Sequence, residues 1–342
     1  MKAAMFYNPN EPLIIEDIMD PKIDSTEVLV AVKVCGICHT DVAIIKGIYP
    51  PRKKPPLILG HEIAGEVVEV GSEVKKFRVG DRVVVQSSIS CGNCYFCLIG
   101  RDNICNKVKA IGIDLNGGYA EYISVPERNL FKLPKKISYE EGAIISDALS
   151  TPYHAVSVAK LKMGATVVIY GAGGLGLNAV QIATKLRGAN VIAVDIDNYK
   201  LKLAQKFGAS QLVNAKEEDP VEKVKTLTKG LGADCALEFI GLPITYTQAV
   251  RSVMRGGKVI IIGASIENFS IEPFRLFKEE IEIIGSYTAL KSEFPILIDL
   301  ISEGKLDVKE IITNTVTLTN INHGIEIMGK KNENLIRVGV KF

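Results

Sequence analysis

The sequence predicts a two-part α/β and β protein, in which a β-rich unit is followed by a doubly wound, parallel six-stranded sheet. Three observations carry that prediction. The 342 residues exceed what a single core usually supports, since domains most often run about 100–150 residues. The patterning changes near Asp147. A glycine-rich turn follows directly on the first apolar run of the later part.

Residues 1–148 hold short β-branched runs at 27–34, 63–70, 82–86 and 119–125, punctuated by Gly and Pro. Such spacing reads as a β-rich unit. From 166 the pattern alternates. Apolar runs at 166–170, 191–195, 211–214, 235–240, 258–263 and 281–286 enclose helical periodicities at 175–186, 199–207, 220–229 and 245–254. Strands alternating with helices read as βαβ units on a parallel sheet. The second domain is therefore expected at 149–286. Residues 287–342 hold a helix and return to β-like runs, which complete the first domain.

Composition excludes several functions. Lys and Arg number 41 and Asp and Glu 39, for a net charge of +2. That balance gives no electrostatic footprint for nucleic acid and no basic face for a membrane. No apolar run reaches the roughly 20 residues of a membrane span, and the first ten residues lack the charged and apolar regions of a secretory signal. The chain is expected in the cytoplasm.

The turn after the first parallel strand reads Gly171-Ala-Gly173-Gly174-Leu175-Gly176 and opens a helix. Gly171 permits the tight turn, Gly173 a close backbone approach to a pyrophosphate, and Gly176 close packing of helix on strand. The helix N-terminus offers free N–H groups to phosphate. Asp195 ends the next strand 19 residues after Gly176, the offset of an acid that binds the ribose 2′-hydroxyl and repels a 2′-phosphate. The pattern predicts a dinucleotide site with a preference for NAD.

Seven cysteines, an odd number, argue against a disulfide framework in this setting. Four of them, Cys91, Cys94, Cys97 and Cys105, fall within fifteen residues. Four thiolates with no open position make a closed, structural zinc site, here a lobe at 91–105.

A second group, Cys35-Gly-Ile-Cys38-His39-Thr40-Asp41 and Gly60-His61-Glu62 through Gly71, resembles the zinc signatures of the medium-chain alcohol dehydrogenases. Gly80 to Val83, Gly117 to Tyr122, the four-cysteine lobe, the nucleotide turn and Ile336-Arg337-Val338 follow in that family's order. The resemblance covers essentially the whole chain. It implies a GroES-like catalytic domain beside a Rossmann domain, with one catalytic and one structural zinc per subunit. It also implies an alcohol or carbonyl substrate, and a homodimer or homotetramer.

By the same resemblance Cys38 and His61 are ligands of the catalytic zinc, Cys35 is not, and Asp147 takes a third position that is a cysteine in many relatives. Three ligands leave a position open for substrate. Asp41 is expected to accept the second ring N–H of His61, and Glu62 to stand beside the metal as a transient ligand. Thr40 is expected to pass on the alcohol proton. A histidine that continues this relay in many relatives is Ala43 here. His39 and Arg337 are expected at the cofactor pyrophosphate.

Tyr49 and Ser87 are expected to line the substrate pocket, Ser87 leaving space where relatives place an aromatic ring. A secondary, cyclic or larger alcohol is the expected substrate, with polyols or sugars and cyclic hydroxyacyl-CoA esters as the alternatives. The basic triplet Arg52-Lys53-Lys54 reads as a solvated loop, with an anionic substrate tail as the alternative.

Overall fold

Strand Glu27–Ile37 organises the first part of the fold. Val28, Val30 and Val32 alternate into its core, as a pleated strand requires. It pairs antiparallel with Glu62–Val70, Tyr122–Pro126 and Arg337–Lys341. Arg82–Val85 and Leu130–Lys132 extend the sheet on one side, and Ile312–Thr317 on the other, for seven strands in all. The computed structural model describes residues 1–330 and 334–342. It divides the chain into Met1–Ser150 with Thr288–Phe342, and Thr151–Tyr287.

Register decides what this sheet can do. Gly36 lies opposite Glu62, and Ile37 opposite Val338. Cys38, His61, Glu62 and Arg337 therefore meet at one end of the sheet, although Glu62 and Arg337 are 275 residues apart in sequence.

In the second unit the strands are β1 (Thr166–Tyr170), β2 (Asn190–Asp195), β3 (Gln211–Asn214), β4 (Ala233–Glu238), β5 (Val253–Ile261) and β6 (Glu282–Gly285). All pair in parallel, in the order β3-β2-β1-β4-β5-β6. The direction of strand addition reverses between β1 and β4, which is the switch point where dinucleotides bind in such sheets. Two local features depart from the periodicity. The helix expected over 175–186 is α-helical at Gly174–Gln181 and continues as a π turn, Ile182–Leu186. β5 begins at Val253, five residues before its apolar run, because helix Pro243–Ser252 stops at Ser252 and the register shifts opposite Ala233 and Cys235. Among the described residues no helix is long and apolar enough to cross a membrane.

Candidate functional site

Cys38 follows the central strand and stands at the N-cap of the short helix His39–Ile45. Its N–H donates to Asp41 Oδ2 at 2.9 Å. Asp41, fully buried, is a hub. Oδ2 also accepts from the Tyr119 hydroxyl at 2.9 Å, and Oδ1 accepts from the Gly60 N–H at 3.2 Å and faces His61 Nδ1 at 3.5 Å. Burial alone would raise the Asp41 pKa. The His61 ring, the Cys38 N–H and the Tyr119 O–H hold it below the ordinary carboxylate value instead. Gly60 adopts φ +91°, and a Cβ there would come within 2.6 Å of the Tyr119 ring. This glycine lets the chain turn sharply into His61.

With Nδ1 toward Asp41, His61 Nε2 points the other way, 3.9 Å from Asp147 Oδ2. The ligand atoms of Cys38, His61, Glu62 and Asp147 all lie within 4.8 Å of one another. Bonds of about 2.0–2.3 Å give a tetrahedral edge of roughly 3.3–3.8 Å, so a zinc ion fits this spacing. The local field also suits a cation. Burial works against a charged imidazole, yet Asp41 and Cys38 push the His61 pKa well up. The Cys38 thiol is held low by His61 and Arg337 despite its burial. Cys35 stays outside the cluster, its thiol pushed far up by burial.

Asp147 sits in a π turn, Ile145–Leu149, that interrupts a helical stretch begun at Tyr139. Such bulges re-aim a side chain and recur at functional sites. From the preceding residue, Ser146, the hydroxyl donates to the carbonyl of Val85 at 2.5 Å and lies 3.3 Å from that of His61, fixing the turn to both strands.

Glu62 is the fourth member of this cluster. Its fully buried carboxylate forms an ion pair with Arg337, whose side chain is 2% exposed. A Cβ on Gly36 would meet Glu62 Oε2 at 2.0 Å, so only glycine fits beneath it. Burial, with Cys38 and Asp147 nearby, raises the Glu62 pKa well above its ordinary value against the pull of Arg337. Arg337 is buried beside this cluster, because the register places it across from the strand end that leads into Cys38.

In the lobe the sulfur–sulfur distances are 3.6 Å for Cys94–Cys97, 3.7 Å for Cys94–Cys105, 3.5 Å for Cys91–Cys105 and 4.0 Å for Cys91–Cys97. Zinc–sulfur bonds of about 2.3 Å predict a tetrahedral edge of about 3.8 Å. The fit is close, and all four cysteines are free of disulfides. Backbone N–H groups of Cys97 and Asn106 pull the Cys94 thiol down to about 6, whereas burial and the neighbouring thiols push Cys97 up to about 11.

At the nucleotide turn, a Cβ on Gly176 would lie 1.7 Å from the Gly171 carbonyl, whereas one on Gly173 would meet nothing within 4 Å. Gly176 is thus needed for packing and Gly173 leaves room for a ligand. Gly174 and Leu175 open the helix behind it. Asp195 Oδ2 accepts from the Ala172 N–H at 2.7 Å, and Oδ1 from Ile196 and Asp197 at 2.7 and 3.0 Å. A carboxylate has about four acceptor positions, so one remains for a ribose hydroxyl.

Thr40 is half-buried, its hydroxyl 3.7 Å from Cys38 Sγ, and His39 is exposed. Tyr49 packs against the core of the first unit. Ser87 is half-exposed, while Ser88 is buried with its hydroxyl 3.4 Å from that of Thr288. Arg52 pairs with Asp114 at 2.6 Å and Lys53 donates to Asn116 at 2.7 Å, so two of the three basic residues are tied to their own chain. Tyr119 and Ser146 were not singled out by sequence. Tyr119 lies inside the Gly117–Tyr122 motif, whereas Ser146 has only its place before Asp147.

Family models bear on this architecture. Residues 24–135 match the alcohol dehydrogenase GroES-like domain, and residues 174–303 the zinc-binding dehydrogenase domain. An alcohol dehydrogenase of Geobacillus stearothermophilus is 37% identical over 96% of both chains. A sorbitol dehydrogenase of Bacillus subtilis is 36% identical over 95% of this chain and 93% of its own. A zinc-binding dehydrogenase from Sinorhizobium meliloti, solved bound to NADP, superposes with a TM-score of 0.91 at 32% identity, covering 100% and 99% of the two chains. The chain belongs to the zinc-type medium-chain alcohol dehydrogenase family, whose cofactors are zinc and NAD(P).

Proposed function

We propose that the chain is an NAD-linked dehydrogenase of secondary, cyclic or larger alcohols, with zinc held by Cys38, His61 and Asp147 and a second zinc in the lobe. The cluster of those three side chains, Cys38 and His61 buried and Asp147 half-buried, with Asp41 behind His61, carries the reading. Two anionic ligands and one neutral imidazole balance a divalent ion. When bound, zinc supplies a Lewis acid that lowers the alcohol pKa, and NAD supplies the hydride acceptor. Asp41 holds the His61 ring with Nε2 toward the metal position. Glu62 stands beside the metal as a transient ligand, paired with the Arg337 guanidinium. Beside Cys38, Thr40 takes the alcohol proton on its hydroxyl. Ala43 has no group to receive it next, so the proton leaves through His39, the cofactor ribose or solvent.

The preference for NAD rests on Asp195. A 2′-phosphate would meet this carboxylate at a cost of about 1–3 kcal/mol, or roughly 10- to 100-fold in kcat/KM. Asp195→Ala should narrow the gap, and equal kcat/KM for NAD and NADP in the wild type would remove the basis for the preference.

The substrate reading rests on Ser87, a small half-exposed side chain just beyond the strand end that Ser146 ties to His61. Measured from ethanol through 2-butanol and cyclohexanol to sorbitol, kcat/KM is expected to peak above ethanol. Ser87→Trp should shift the preference toward ethanol by about tenfold, since a methylene of fit is worth ~1–3 kcal/mol. An ethanol optimum in the wild type, or a Trp variant with unchanged preference, contradicts the open pocket.

A further inference from the structure

Strand Arg82–Val85 is laddered to Leu130–Lys132, and Val85 with Leu130 is the last pair. Beyond that point the partner chain turns away into the 3-10 turn Glu127–Asn129. On this edge segment 86–91 keeps one backbone bond, from the Gln86 N–H to the Asn129 carbonyl at 2.8 Å, while on its other edge Ser88–Ile89 pairs with Lys109–Ala110. The segment runs from the candidate pocket residue Ser87 to the first lobe ligand, Cys91. Backbone carbonyls left inside a fold need donors. Here two side chains of the turn provide them. The Asn129 amide, on a residue 2% exposed, donates to the Gln86 carbonyl at 3.1 Å and the Ser88 carbonyl at 2.9 Å. The Arg128 guanidinium donates to the Ser90 carbonyl at 2.6 Å and lies 3.5 Å from that of Cys91. Carbonyls 86, 88 and 90 share one side of an extended segment, so the two side chains continue the ladder where the backbone has left it. The Ser87 carbonyl faces the other way and accepts from the Ile111 N–H at 2.9 Å.

We propose that Asn129 and Arg128 are positioning residues for substrate selectivity: Asn129 grips both carbonyls flanking Ser87 and so sets where its side chain stands, while Arg128 anchors the same segment at the lobe. This rests on Ser87 lining the pocket. Neither residue touches substrate, so the effect is on how alcohols are sorted by size rather than on the chemical step.

The test compares zinc-loaded wild type with Asn129→Ala, Asn129→Asp and Arg128→Met, using ethanol and cyclohexanol with NAD. Asn129→Asp keeps the shape but sets an acceptor against two carbonyls. Both Asn129 variants should change the cyclohexanol-to-ethanol ratio of kcat/KM by about fivefold to tenfold, the effect of roughly a hydrogen bond's worth of misplacement. The change should appear in the alcohol KM, with the KM for NAD and the zinc content unaltered. Arg128→Met, at an exposed side chain, should move the ratio in the same direction by a smaller factor, and it carries the test if the Asn129 variants do not fold. An unchanged ratio, or an equal loss of kcat on both alcohols, overturns the proposal. If Ser87→Trp shifts selectivity and these variants do not, the clamp is wrong and the pocket reading stands. If Ser87→Trp is also silent, both fall.

Discussion

Replacing Asp147 with alanine is expected to cost the chain one zinc ion and to lower NAD-linked turnover by about a thousandfold or more, which corresponds to roughly 4 kcal/mol of barrier. Asp147 Oδ2 stands 3.9 Å from His61 Nε2 within the ligand cluster. Its removal leaves Cys38 and His61, with Glu62 engaged by Arg337, too few firm ligands to hold a catalytic zinc ion against water. The fold should survive, because the carboxylate is a side-chain contribution from a helical turn that alanine also adopts. Asp147→Cys restores a ligand of the same charge and should recover metal. Zinc content and circular dichroism, read beside turnover, separate metal loss from unfolding. Retention of both zinc ions in Asp147→Ala, or of turnover, would refute the ligand set.

The second large effect is on stability. Arg337→Met should destabilise the protein by about 3–5 kcal/mol, the usual penalty for stranding a buried charge. Glu62 is fully buried and Arg337 nearly so. Without the guanidinium, the carboxylate faces Cys38 and Asp147, which already raise its pKa. Adding Glu62→Gln removes the stranded charge, so the double variant should regain at least half of the loss. Urea unfolding of the two single variants and the double variant closes the cycle. A loss under about 1 kcal/mol, or a double variant no better than Arg337→Met, would show that the pair does not hold this end of the sheet together.

What could be read from the sequence was what depends on local spacing. Gly171, Gly173 and Gly176 report a turn, a gap and a packing contact because each acts on neighbours a few residues away. The lobe cysteines behave likewise, and their sulfurs lie at tetrahedral distances. Arg337 shows the limit. Its neighbour Glu62 is brought to it by strand register across 275 residues, and nothing in the local pattern of either residue announces the pairing. Asp147 was found by its match to a family segment, yet its presentation on a π turn is invisible to a helical periodicity. Tyr119, which donates to Asp41, and Asn129, which continues a broken ladder, have polar roles set by what lies opposite them in space. Asp195 was legible as a strand-end acid, but not the three N–H groups it gathers.

The claim on which the rest depends is that two clusters in one chain, Cys38 with His61 and Asp147, and Cys91 with Cys94, Cys97 and Cys105, each hold a zinc ion. Elemental analysis of the purified wild-type chain measures this directly. Two zinc ions per chain are expected. One zinc or none, in protein that is folded and was purified without chelator, would contradict it.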